Sequence, residues 1–363
     1  MPAAIISTAA TACQDCYRCV RECPVKAIKV QESVAQVVDE RCIKCGHCVA
    51  VCPNQAKRVR DDLPLVRAFL AAAAPVYVSL APSWVAAWPD VRAQRLIHAL
   101  QACGFAGVGE TALGAQEVSA HTADLLAREP DRGWVSSACP AAADWVRRYH
   151  GRPDLVTPLL SPLLAHCRML REHVSPDIRI VFCGPCVAKK VEADRHPELL
   201  DAALTFDELR ILFAEHGQDP EAPLVDGQTT DAADFVLQRA ADGAWYPVEG
   251  GMLAGLRGGG RPTDAGMLAV SGMEAVRDAV GDLDQQGGCF LEALACRGGC
   301  VAGPCAGGSG GGLARRRRVL AAAPPPSEMI PRRPRLAIAD HAMAAPAGWD
   351  EPAPAEDAIT RQL

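Results

Sequence analysis

The stretches CQDCYRCVRECP, residues 13–24, and CIKCGHCVAVCP, residues 42–53, decide how the first part of this chain folds. Each reads C-x2-C-x2-C-x3-C-P. Three cysteines at this spacing wrap one cubane iron–sulfur cluster, and the fourth, followed by proline, ligates the other cluster of the pair. Cys13, Cys16, Cys19 and Cys52 are therefore expected to hold one 4Fe-4S cluster, and Cys42, Cys45, Cys48 and Cys23 a second. A pair of zinc sites is the alternative, but zinc commonly uses separated cysteine pairs. The third cysteine and the trailing proline occur in both runs and favour cubanes. Such a pair passes single electrons, so a further redox centre must feed or drain it.

Composition bounds the rest. With 363 residues, a small appended module plus one large domain is the natural division. The formal charge of -6 gives no basic field for a nucleic acid. Apolar stretches such as 66–80 are too short or too interrupted to span a bilayer, and residues 1–12 lack the basic start and apolar run of an export signal. A cytoplasmic protein is expected. Seventeen cysteines in a reducing compartment point to metal ligation rather than disulfides. Beyond residue 53 they gather mainly near 139, 183–186 and 289–305, which suggests further metal sites.

Along the chain, residues 1–60 form an α+β ferredoxin-like two-cluster module, and Asp61 to Ala74 reads as a helix leading away. Short apolar runs at Val76 to Leu80, Trp134 to Ser136 and Ile178 to Phe182 read as buried strands. Arg92 to Cys103, Gln116 to Arg128, Ala141 to Tyr149 and Pro162 to His173 read as helices, which gives α/β alternation over residues 61–320. Thr205 and Glu208 spell a capping box before a helix ending near Gly217. Gly307 to Gly312 lacks the lysine and hydroxyl of a phosphate loop and reads as a flexible turn. The Arg315 to Arg318 run after it reads as a solvated helix face, with docking of an acidic partner as the alternative. Residues 321–363, rich in proline and alanine, read as a linker or disordered tail, with a helix start at Glu356 to Leu363.

Three further cysteine loops follow predicted strands or lie near the end of the large domain. They are SSACPAAADW with Cys139, FCGPCVAKKVEA with Cys186, and LEALACRGGCVAGP with Cys296 and Cys300. In this order they resemble the three signatures of the iron-only, or FeFe, hydrogenase large subunit. The resemblance covers residues 1 to about 305 and implies an α/β FeFe-hydrogenase-like catalytic domain. It further implies that Cys139, Cys186, Cys296 and Cys300 hold an H-cluster, a 4Fe-4S cubane joined through a bridging thiolate, here Cys300, to a diiron subsite. Lys189 matches the lysine that donates hydrogen bonds to a diiron cyanide. Glu192 and Glu292 match signature acids; Glu192 is expected with Lys189 to have a catalytic part, and ion pairing or loop capping is the plain structural reading of both acids. Cys103 and Cys167 read as core thiols; Cys183, Cys289 and Cys305 lie near the presumed ligands.

The departures from the pattern are equally specific. Ala138 stands where active enzymes carry a proton-shuttling cysteine, and a methyl group relays no proton. His121 and Thr122 stand where relay carboxylates are expected. Gly184 and Leu294 replace signature methionines, and Gly303, Pro304 and Cys305 replace a run of glycines ending in glutamine. This set resembles the sensory branch of the family, which implies hydrogen or redox sensing, or slow reversible hydrogen oxidation, through two 4Fe-4S clusters. Implied partners are a redox protein or a downstream regulatory protein, and maturation proteins if the diiron subsite is installed. The competing expectation is a cluster scaffold or electron carrier whose distal site holds a third 4Fe-4S cluster alone.

Overall fold

The two cysteine runs fold as one internally repeated unit in the computed structural model, which describes residues 4–222, 234–257, 266–322 and 334–340. β1 (Ile6–Thr8) is followed by α1 (Arg18–Glu22), the hairpin of β2 (Ile28–Gln31) and β3 (Val34–Val37), α2 (His47–Val51), and β4 (Lys57–Val59). β4 pairs antiparallel with β1, Ile6 opposite Val59. Each short helix carries the third cysteine of its run and is entered at positive φ, through Tyr17 (58°) and Gly46 (74°). Packing adds to the backbone demand at Gly46, where a Cβ would lie 2.5 Å from Pro304 Cγ of the third cysteine loop.

After α3 (Leu63–Leu70) come β5 (Val76–Leu80), α4 (Trp84–Ala87), α5 (Ala93–Ala102), β6 (Gly107–Glu110) and α6 (Thr111–Arg128). β7 (Trp134–Val135), α7 (Pro140–Trp145), α8 (Pro162–His173), β8 (Arg179–Gly184), α9 (Lys189–Arg195), β9 (Ala202–Thr205) and α10 (Phe206–Glu215) follow. α11 (Gly251–Arg257), β10 (Met267–Ser271), α12 (Met273–Gln286), β11 (Phe290–Leu294) and α13 (Gly312–Ala322) complete the described helices and strands. The strands form two parallel sheets, in the orders β6-β5-β8-β9 and β10-β11-β7. Parallel strands covered on both faces need continuous apolar runs, as in VYVSL of β5 and FLEAL of β11. The cysteine loops leave the carboxyl ends of β7, β8 and β11, where open α/β sheets place their crevices. Among the described residues no helix is long and apolar enough to cross a membrane.

Several elements differ from the sequence reading for physical reasons. α3 is shorter than Asp61 to Ala74 because the alanines before Pro75 have little to bury and Pro75 disfavours helix before it. α6 starts at Thr111, five positions before Gln116. Gly114 within it lets α8 approach so closely that a Cβ would lie 2.1 Å from the Pro162 carbonyl. The helix read through Tyr149 is α7 followed by a π turn, Val146–His150. The Thr205–Glu208 capping box is formed, with both reciprocal bonds present. The arginine run is not merely solvated. Arg315 donates to Val301 O (3.3 Å), Arg316 to Glu249 O (3.1 Å) and Arg318 to Ser309 O (2.7 Å), so three guanidinium groups tie down loop carbonyls. The stretch read as linker or tail begins inside α13, and residues 334–340 within it are docked. Ile338 is fully buried and accepts from Leu160 N, and Glu117 Oε1 accepts from the amides of Arg335 (2.5 Å) and Leu336 (2.8 Å). Residues 341–363, including the helix start read at Glu356, lie outside the described residues.

A buried charge cluster fixes the segment that leaves the cluster module. Lys190, 0 % exposed, donates to Asp62 Oδ2 (3.0 Å), Glu208 Oε1 (2.9 Å) and the Ala203 carbonyl (2.8 Å). Glu208 also accepts from Asp62 N at 2.8 Å, and Arg60 bridges Asp62 and Asp194, each at 2.7 Å. Truncating one member of such a cluster leaves buried carboxylates unpaired, which costs more than the cluster itself contributes. Lys190→Met is expected to destabilise the protein by about 3 kcal/mol or more, read as a lowered urea midpoint. An unchanged midpoint would show that Asp62 and Glu208 are not held by this cation.

Residues 334–340 are docked through a titratable pair, His121 and Glu117. Burial works against charge on His121, but its bonds to Glu117 and to the Leu336 carbonyl (2.7 Å) raise its pKa above the ordinary 6.5. Burial also opposes ionisation of Glu117, which His121 and the two amides outweigh, lowering it below 4.5. The raised histidine contributes stability fully below its unfolded pKa and loses it as pH rises through the folded value. The lowered carboxylate contributes above its unfolded pKa and loses it as pH falls. Protection of the Leu336 amide, corrected for intrinsic exchange, is therefore expected to fall as pH is raised from about 6 to about 9. Constant protection would remove His121 from the docking.

Candidate metal centre

Cys13, Cys16, Cys19 and Cys52 surround one void together with Lys57. Cys23, Cys42, Cys45 and Cys48 stand close enough to oppose one another's ionisation, and burial pushes the Cys48 thiol up to about 12. The fourth cysteines are held alike. Cys23 Sγ accepts from Ala27 N and Cys52 Sγ from Ala56 N, both at 3.2 Å. Backbone N–H groups aimed at a cluster sulfur stabilise negative charge on it. At Cys52 burial raises the pKa, but the amides of Ala56, Lys57 and Asn54 lower it further, for a net fall. Among the described residues no group of three or more His, Cys, Asp or Glu could hold a metal ion. A cubane, larger than an ion, suits thiols that surround a void.

The distal cysteines converge in the same way. Cys139 caps the start of α7, Cys186 follows β8, and Cys296 and Cys300 follow β11. All four line one void, and Cys45 of the second run lines it with them. The contact with the cluster module is made by α7 and the π turn after it. Arg148 donates to the Cys42 carbonyl (3.2 Å), and the Tyr149 hydroxyl donates to Arg41 O. Burial pushes the Cys186 thiol up to about 11, with Cys139 adding to the effect, and raises Cys296 and Cys300 further. Thiolates so placed become tolerable when a cationic centre offsets their desolvation.

On the other side of Cys139, Cys186 and Cys300 lies an apolar cavity of about 90 Å³. Ala138, Phe182, Lys189, Tyr246, Met252 and Glu292 are among the residues lining it. Lys189 donates to Glu192 Oε2 (2.6 Å) and Ser161 Oγ (3.2 Å). Burial opposes its charge, yet Glu192 and the neighbouring cysteines raise its pKa. Glu192 itself is not among the cavity-lining residues; it orients Lys189 from behind. Glu292, 2 % exposed, accepts from the amides of Gly250 and Leu253, both at 3.1 Å, and burial pushes its carboxyl up to about 7. His121 and Thr122 do not line the cavity. Cys103, Cys167 and Cys183 are buried in the main core, and Cys289 and Cys305 in two smaller ones.

A family profile for the iron-only hydrogenase large subunit, C-terminal domain, matches residues 74–304, and one for the 4Fe-4S dicluster domain matches residues 5–53. The chain belongs to the iron-only hydrogenase large-subunit family. It is an iron–sulfur protein with a 4Fe-4S dicluster domain ahead of the hydrogenase-family domain. A solved FeFe-hydrogenase, HydA(deltaEFG), aligns with 18% sequence identity over 76% of this chain and 91% of its own, TM-score 0.55. A variant of FeFe-hydrogenase HydA1 from Chlamydomonas reinhardtii aligns with 19% identity over 72% of this chain and 88% of its own, TM-score 0.54. These likenesses establish the fold. No curated protein matches in sequence.

Sequence reasoning missed Ser83, Thr111, Tyr246 and Met252, which also line the cavity. They are single residues between or inside elements, with no spacing that marks them. It missed Lys57 as well. Only 4 % exposed, Lys57 donates to Thr8 Oγ1 (2.7 Å) and Ala35 O, and it lowers the pKa of Cys19, Cys48 and Cys52, so its charge reaches both ferredoxin sites. A buried cation there favours the electron-rich state. Lys57→Gln is expected to lower the ferredoxin cluster potentials by about 50 mV, read by redox titration monitored by electron paramagnetic resonance. Unaltered potentials would show that its charge is screened from the clusters.

Proposed function

We propose that this protein holds an H-cluster on Cys139, Cys186, Cys296 and Cys300, with Cys300 as the bridge to a diiron subsite, and uses it to report hydrogen or redox state. The observation that carries this reading is the shared wall. Cys139, Cys186 and Cys300 line both the void that would take a cubane and the apolar cavity beyond it. A plain electron carrier has no need of the second compartment. When bound, the diiron subsite supplies the cleavage of hydrogen into two protons and two electrons.

The chain's own residues do the rest. Lys189, fixed by Glu192 and Ser161, offers an ammonium donor at the cavity wall to anionic ligands. Apolar side chains such as Phe182 and Met252 keep bulk water away. Cys45 on the wall of the distal void leads electrons toward the second ferredoxin cluster, and the first cluster, with Cys16 exposed, faces a redox partner. Ala138 cannot carry a proton, so turnover is slow, which suits a sensor whose output is the occupancy of a redox state. A redox or regulatory protein would read that state, and maturation proteins would install the subsite.

Infrared spectroscopy on protein produced anaerobically with the maturation proteins tests this reading. Bands of iron-bound carbonyl and cyanide that shift under hydrogen are expected. Their absence, with iron content matching cubanes alone, would give the site to a third 4Fe-4S cluster and the protein to scaffold or electron-carrier work.

A further inference from the structure

We propose that Tyr246, Ser119 and Asp242 form the route by which protons pass between the distal cavity and solvent. The inference rests on the H-cluster reading above and supplies what Ala138 takes from it.

The cavity wall offers few exchangeable protons. Lys189 is engaged by Glu192 and Ser161, and Glu292 can exchange a proton with the cavity but is bonded to the backbone amides of Gly250 and Leu253, which carry none onward. Thr111 bonds Ser79 (2.7 Å), which bonds His166 Nδ1 (2.8 Å). That chain ends inside the core, because His166 is 0 % exposed and its Nε2 has no partner among the described residues. The Ser83 hydroxyl likewise has no partner there. His121, on the face of α6 where a relay group is expected, is capped by the Leu336 carbonyl.

Tyr246 leads outward. It lines the cavity, and its hydroxyl lies 2.9 Å from Ser119 Oγ on α6. Asp242, part of the 3-10 turn Asp242–Trp245 and half-buried, lies next along the same path. Gly255 of α11 packs beside both side chains. A Cβ built there would lie 3.0 Å from Asp242 Oδ2 and 3.6 Å from Ser119 Oγ. Asp242 Oδ2 and Ser119 Oγ thus face one small gap, too wide for a direct bond, which one or two waters would span. Tyrosine and serine hydroxyls each donate and accept, so each can take a proton on one side and release one on the other. One proton enters at Tyr246 and one leaves through the Asp242 carboxylate to solvent. No electron moves along this path.

The test uses full-length protein carrying the matured site, followed by infrared spectroscopy after a switch to hydrogen. Tyr246→Phe, Ser119→Ala, Asp242→Asn and Gly255→Ala are each expected to show the wild-type bands, establishing an intact site, with conversion slowed at least about ten-fold. Ser119→Thr, which keeps the hydroxyl, should restore much of the rate. Wild-type conversion rates in Tyr246→Phe and Ser119→Ala would overturn the route, as would slowing by His121→Ala in their place. Absence of carbonyl bands from the wild type itself would sink the H-cluster reading first, and the route with it.

Discussion

Four half-buried cysteine thiols gathered where two parallel sheets end are the constraint on which the rest of this structure depends. Burial first, and the neighbouring thiols after it, drive the Cys186, Cys296 and Cys300 pKa values upward, so the ionised form that binds iron is disfavoured until a positive centre arrives. The fold accepts that cost at one location and builds around it. β7, β8 and β11 end on the same void, and the loops after them supply ligands from three separate parts of the chain. The cysteines have meaning only together, and the sheets bring them together.

The ferredoxin module is fastened rather than tethered. Gly46 fits against Pro304 because a side chain would collide there, Arg148 and Tyr149 grip the second cysteine run by its carbonyls, and Lys190 locks the connecting segment through Asp62 and Glu208. Each contact is poor evidence of stability by itself, since buried ion pairs repay little beyond their desolvation. Jointly they fix geometry. Electron transfer between centres needs a fixed short separation, and Cys45 standing on the wall of the distal void is what this fastening achieves.

The departures from the family pattern spare the cysteines and include the positions where proton carriers are expected. Every cysteine of both ferredoxin runs and of the three distal loops is in place, whereas Ala138, His121 and Thr122 stand where proton-carrying groups belong. His121 has been turned to another use, holding the Leu336 carbonyl, and the Thr122 hydroxyl is buried with no partner among the described residues. On the H-cluster reading proposed above, a site with its cysteines complete and its usual proton carriers replaced would suit registering a state more than turning over.

Spacing in the sequence determined the ferredoxin ligands and the order of the distal loops, because metal ligation fixes residue type and local separation regardless of what surrounds them. Apolar runs determined β5, β7 and β8, and the capping box at Thr205 and Glu208 set the start of α10, since these signals are local. The tertiary structure decided what local chemistry cannot encode. It set which faces of α6 and α8 meet over Gly114, that the arginines of α13 serve loop carbonyls, and that residues 334–340 cover α6. It also decided that Tyr246 stands at the cavity, with the Ser119 hydroxyl bonded to its own. Those placements arise from contacts between separate elements, 127 positions apart for Ser119 and Tyr246 and 219 for Glu117 and Leu336, and no period or motif in the chain records them.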